Sequence, residues 1–158
     1  MHFKRLPLID APGLIQHIVF CTHTAHRDEN DAEAMGRSPG GRFLVGALAD
    51  HVQDVLLSQQ GETYILFAWC VMPNHVHVLV QPRAKSIAQL IKAWKALSSR
   101  GSNAPKPLWQ KNYLDRYMRD EEQVWFTSKY IEANLVAAGF VKCAEQWRWS
   151  SAWKERRR

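Results

Sequence analysis

Apolar positions along the chain change their period several times, and each change marks an element. Residues 14–22 (Leu-Ile-Gln-His-Ile-Val-Phe-Cys-Thr) are rich in β-formers and predict a first strand. Between residues 43 and 59 apolar side chains recur at Leu44, Ala47, Leu48, Val52, Val55 and Leu56, a helical stripe that Gly61 closes. Residues 63–72 are apolar almost throughout, which predicts a strand covered on both faces and therefore central in its sheet. Pro73-Asn74 then turns the chain into a third strand, Val76, Val78 and Val80 alternating with His75, His77 and Leu79, so that the two strands form a hairpin. Past Pro82, Ser86 is an N-cap for a helix that gathers Ile87, Leu90, Ile91, Trp94 and Leu97 on one side. Residues 108–119 alternate weakly and predict a fourth strand. Asp120, Glu121 and Glu122 suit the positive end of a last helix, which runs to about Ala138 and stops at Gly139.

This order of strand, helix, strand, strand, helix, strand, helix is the split βαβ arrangement of α+β, ferredoxin-like sandwiches. It implies an antiparallel sheet with helices on one face and the other face partly open, plus the last helix and a tail. Residues 1–13, with Pro7, Pro12 and Gly13, read as an irregular lead-in, and residues 28–41 as a flexible loop. No internal repeat or low-complexity segment is present.

Composition narrows the class. With 158 residues, 46% of them hydrophobic, the chain can bury one sizeable core. Its longest apolar run is too short to span a bilayer, and no leader-like segment opens it, so a cytoplasmic protein is expected. Cys21, Cys70 and Cys143 match no zinc pattern and read as buried free thiols of a reducing compartment. Lys and Arg outnumber Asp and Glu by 21 to 15, a formal charge of +6 that favours polyanions. Trp94, Trp109, Trp125, Trp147, Trp149 and Trp153 lie near basic residues, and any that stay exposed could stack unpaired bases.

The third strand carries the candidate chemistry. Side chains two apart share a face, so His75 and His77 oppose the three valines and present two neutral nitrogen ligands from a rigid element. Such a pair needs a further ligand from elsewhere. Tyr130 and Asn134 stand four apart on the last helix and share one face. The phenol can attack phosphorus, and the amide oxygen can ligate a hard cation.

These motifs carry a family resemblance. Met72-Pro73-Asn74-His75-Val76-His77 resembles the His-hydrophobic-His motif of the single-tyrosine HUH transposases, and Tyr130-Ile131-Glu132-Ala133-Asn134 resembles their nucleophile helix. Trp109 to Tyr113, Asp115, Arg116 and Arg119 are similar to the preceding strand. Trp147-Arg148-Trp149-Ser150-Ser151 is similar to the tail of one branch, the REP-associated tyrosine transposases. One departure is Leu135, where members often carry Pro; as a good helix former it lets the helix run on straighter.

The resemblance implies Tyr130 as nucleophile and His75, His77 and Asn134 as metal ligands. It implies Mg2+ or Mn2+, although imidazoles alone would also suit zinc. It implies cleavage and rejoining of hairpin-forming single-stranded DNA through a 5′-phosphotyrosine link, by a monomer or homodimer. Residues 1–143 would be the catalytic domain and residues 144–158 a basic aromatic tail. Candidate DNA contacts are Lys92, Lys95, Lys111, Arg116, Arg119 and Trp149, with Arg156, Arg157 and Arg158 of the tail. Two other classes share parts of this pattern. A histidine-triad nucleotide hydrolase would want His where Leu79 stands. A non-catalytic nucleic-acid binder on the same sheet would need neither the histidines nor Tyr130.

Overall fold

The computed structural model describes residues 13–23 and 44–155. Its elements are β1 (Gln16–Cys21), α1 (Gly46–Leu57), β2 (Tyr64–Val71), β3 (His75–Pro82), α2 (Ile87–Arg100), β4 (Leu114–Tyr117) and α3 (Glu121–Ala137), followed by a 3-10 turn, Ala144–Gln146. The strands form one antiparallel sheet in the order β2-β3-β1-β4, the ferredoxin-like topology the element order implies. Residues 1–12 of the lead-in, the loop over residues 28–41 and the three terminal arginines lie outside the described residues.

Local chemistry accounts for the helix ends. The Ser86 hydroxyl accepts from the Gln89 amide while the Gln89 side chain accepts from the Ser86 amide, a reciprocal cap on α2. The Asp120 carboxylate accepts from the Gln123 amide and caps α3. Gly139, at φ +83°, takes the left-handed turn that ends α3.

Two cores lie on opposite faces of the sheet. On one, Ile18, Phe20, Val76, Val78 and Val80 pack against Val52 and Leu56 of α1 and Leu90, Ile91 and Trp94 of α2. On the other, Ala68, Cys70, Leu79 and Met118 pack against Ile131 and Leu135 of α3. The face expected to stay partly open is therefore crossed by the last helix. Leu135, the departure from the resembled pattern, is fully buried there.

Three expectations need correction. β2 is an edge strand, not a central one. Its apolar sequence reflects helices on both faces, and its free edge is covered instead by the chain end. Val71 and Ser151 amides donate to the Trp149 and Trp69 carbonyls at 2.8 and 3.0 Å, so the tail closes an otherwise open ladder. The fourth strand is confined to Leu114–Tyr117, because residues 108–110 make only a bridge from Trp109 to Thr22 before the chain leaves the sheet. Cys21 and Cys70 are buried free thiols as expected, but Cys143 sits exposed in the turn after α3.

The α3 docking generates a prediction. Ile131→Ala removes a fully buried side chain from the smaller core and should cost about 2–5 kcal/mol in urea unfolding. Val136→Ala, on the 37% exposed side of the same helix, should stay within about 0.5 kcal/mol.

Candidate metal and nucleophile site

The site is assembled from four elements on the α3 side of the sheet. In the β1–β3 ladder Val19 stands opposite His77 and His17 opposite Leu79, so His17 and His77 are diagonal neighbours on one face. His75 lies two residues before His77 on β3. β4 places Arg116 opposite His17. Above them α3 points Ile131 and Leu135 into the core and turns Tyr130 and Asn134, one position earlier in each case, along the adjacent stripe.

Both candidate metal-binding histidines are 1% exposed. Both rings are held by contacts at their nitrogens. His75 Nδ1–H donates to Asn74 Oδ1 at 2.7 Å, leaving Nε2 as a lone pair. His77 Nδ1 lies 3.0 Å from His17 Nε2, and the Asn134 amide Nδ2 lies 3.4 Å from His77 Nε2. The Nε2 atoms of His75 and His77 face each other at 3.1 Å. With the His77 proton on Nδ1, donated to His17, both Nε2 atoms offer lone pairs to one point, where a cation fits.

The geometry suits one. Two donors about 2.1 Å from a metal and about 90° apart are separated by about 3.0 Å. Among the described residues no group of three His, Cys, Asp or Glu side chains is placed to hold a metal. The remaining side-chain donor at hand is the Asn134 amide, whose oxygen reaches the same spot by a rotation that exchanges it with Nδ2.

Tyr130 lies beside this point. Its ring centroid is 6.1 Å from His77 and 6.3 Å from His17, in edge-on arrangement with both, and it is 41% exposed. Arg116 is close enough for a phenolate on Tyr130 to favour its charged form, although burial is the stronger effect and lowers its pKa. Phe126, one turn before Tyr130 on the same stripe, and Trp125 are each 57% exposed with rings 5.0 Å apart.

The other candidate contacts are dispersed. Lys92, Lys111 and Arg119 are exposed. Lys95 is turned inward and donates to the carbonyls of Gln110, Lys111 and Asn112 at 2.7, 3.3 and 3.0 Å. Burial draws its pKa down to about 8. Trp149 is half-buried, its Nε1 donating to Asp50 Oδ1 at 2.8 Å, which occupies a ring proposed for DNA contact. Trp94 and Trp109 are core, whereas Trp153 is exposed. His17 escaped the sequence reading: a single His inside the β-rich run of residues 14–22 carries no spacing signal, and only strand register brings it to His77.

Residues 42–134 match the family model described as "Transposase IS200 like". The fold is similar to that of a solved structure described as a REP-associated tyrosine transposase bound to a REP hairpin. That match has a TM-score of 0.69 at 16% identity and covers 94% of this chain and 82% of the other. A putative transposase from Deinococcus radiodurans is similar at a TM-score of 0.45 and 21% identity, covering 85% of this chain and 98% of that one. Comparison with curated proteins finds no match.

The neutral burial of the histidines sets a pH dependence. Burial, aided by the Arg116 charge, pulls His17 from 6.5 to about 3, and burial alone pulls His75 to about 4. His77 is held well below its ordinary value by burial first, then by its two histidine neighbours. The unfolded chain thus binds protons that the folded chain refuses between pH 6.5 and about 4, and stability is full above that window and falls on acidification through it. Urea unfolding without metal should show about 2 kcal/mol lost per buried histidine between pH 7.5 and 5. A flat profile would contradict neutral burial.

Proposed function

Because the chain belongs to the IS200-like transposase family, we propose that it is a metal-dependent transesterase that cleaves and rejoins single-stranded, hairpin-forming DNA through Tyr130. The observation that carries this reading is the meeting of a half-exposed phenol with His77 of the His75–His77 pair, with Asn134 of the same helical stripe 3.4 Å from His77 Nε2. A hairpin substrate is supported by the DNA named with the similar structure.

The chemistry divides among the residues as follows. His75 Nε2, His77 Nε2 and Asn134 Oδ1 would hold a divalent cation, Mg2+ or Mn2+, whose charge, when bound, neutralises and polarises the scissile phosphate. Tyr130 attacks phosphorus through its phenolic oxygen. The P–O3′ bond breaks, the phenolic proton is lost to solvent, and the departing 3′ oxygen takes one up. The products are a 5′-phosphotyrosine and a free 3′-hydroxyl. Since one phosphodiester is exchanged for another, a different 3′-hydroxyl can reverse the step and join strands. A phenol's ordinary pKa of about 10 demands help, and Arg116 supplies positive charge beside it. Burial of the imidazoles keeps them unprotonated and available as ligands at neutral pH.

Lys92, Lys111 and Arg119, which are exposed, would meet phosphates, while Lys95 braces the loop over residues 110–112. The tail beyond residue 143 pins the β2 edge and would continue into phosphate contacts through its last arginines. No helix among the described residues is long and apolar enough to cross a membrane, and we place the protein with its DNA in the cytoplasm.

The test is covalent capture. With labelled single-stranded hairpin DNA and Mn2+, the protein should form a denaturant-resistant adduct that Tyr130→Phe abolishes while hairpin binding persists. His77→Ala should lower the rate by a factor of 100 or more, as expected when a metal ligand is lost. Hairpin binding with no adduct would favour a non-catalytic binder.

A further inference from the structure

The third buried histidine has no part in the step above. His17 lies behind His77, not beside the point where the His75 and His77 nitrogens converge. Its Nε2 is committed to His77 Nδ1 at 3.0 Å, and the two rings are stacked at 5.2 Å with only 23° between planes. It is also buried, 7% exposed, on the strand next to β3.

We propose that His17 is a positioning residue for the cation site, holding His77 in the tautomer and orientation that aim its Nε2 lone pair at the metal. This rests on reading His75 and His77 as metal ligands. Proton placement on the ring decides which nitrogen can bind a metal. A neutral imidazole carries a single N–H, and which nitrogen bears it follows from the partner each nitrogen finds. His77 Nδ1 is buried 3.0 Å from His17 Nε2; with His17 as acceptor, the proton stays on the far side of the ring from His75. Without that acceptor, a proton on Nδ1 would be buried and unpaired. The favoured tautomer would then carry it on Nε2, directed into the space between the histidines, where a cation cannot share it. His75 has the equivalent support from Asn74 Oδ1. Each ligand thus has its own orienting partner, one an amide from the turn and one an imidazole from the neighbouring strand. The stack on His77 and the edge contact with Tyr130 also place the His17 ring as a wall that limits rotation of both groups.

The test uses the full-length protein and Mn2+ alone. Its affinity is measured by titration calorimetry in wild type, His17→Phe, His17→Gln and His75→Ala. Long-range proton–nitrogen NMR reads the His77 tautomer without metal. His17→Phe keeps the ring and its stacking but cannot accept. It should weaken Mn2+ binding by about 10–100-fold and shift His77 toward the Nε2–H form, with metal-free hairpin binding unchanged. His17→Gln, whose amide oxygen can accept the same proton, should recover most of the affinity. Wild-type Mn2+ affinity in His17→Phe, with His75→Ala impaired, would overturn the role of His17 and leave the metal site standing. Equal Mn2+ affinity in wild type and His75→Ala would overturn the site itself, and this proposal with it.

Discussion

The arrangement depends on how α3 lies on the sheet. Ile131 and Leu135, one turn apart and fully buried, drop into a pocket formed by Ala68, Cys70, Leu79 and Met118. Helix geometry then leaves no freedom: the residues immediately before them, Tyr130 and Asn134, must rise about 100° around the axis, over the histidines of β3. Apolar burial, which has no chemical selectivity, thereby delivers a phenol and an amide to a polar point. Leu135 contributes directly, because a proline there would have brought neither its side chain nor its amide to this helix.

Charge is managed by separation. Imidazoles are kept neutral by burial, which leaves their nitrogens unprotonated at neutral pH. Exposed Lys92, Lys111 and Arg119 carry positive charge outside the site, where it can attract a polyanion without occupying it. Arg116 is the intermediate case. Half-buried and paired across the sheet with His17, it brings a permanent charge to the phenol's side. Burial first, and this charge after it, lower the His17 pKa and keep that ring neutral.

Much of this was written in local patterns. Alternation placed His75 and His77 on one face and the valines on the other, because a strand's period is indifferent to context. A spacing of four put Tyr130 with Asn134 for the same reason. What failed to show was anything set by register or by neighbours distant in sequence. Residues 63–72 look central because both faces are covered, yet strand order is decided by crossover topology, and the missing neighbour is replaced by Trp149 to Ser151. Lys95 reads as a candidate DNA contact, and only the returning loop supplies the carbonyls that turn it inward. His17 offers no spacing cue at all; its role exists only once β1 lies beside β3.

The central claim is spatial: docking of α3 presents the Tyr130 phenol to a cation held between two β3 imidazoles. Anomalous diffraction from crystals of the protein equilibrated with Mn2+ tests it most directly. The account predicts a peak about 2.1 Å from both His75 Nε2 and His77 Nε2, with Asn134 Oδ1 turned toward it and the Tyr130 ring alongside. Manganese bound away from the imidazole pair, or Tyr130 facing away from it while Ile131 and Leu135 remain buried, would contradict the account.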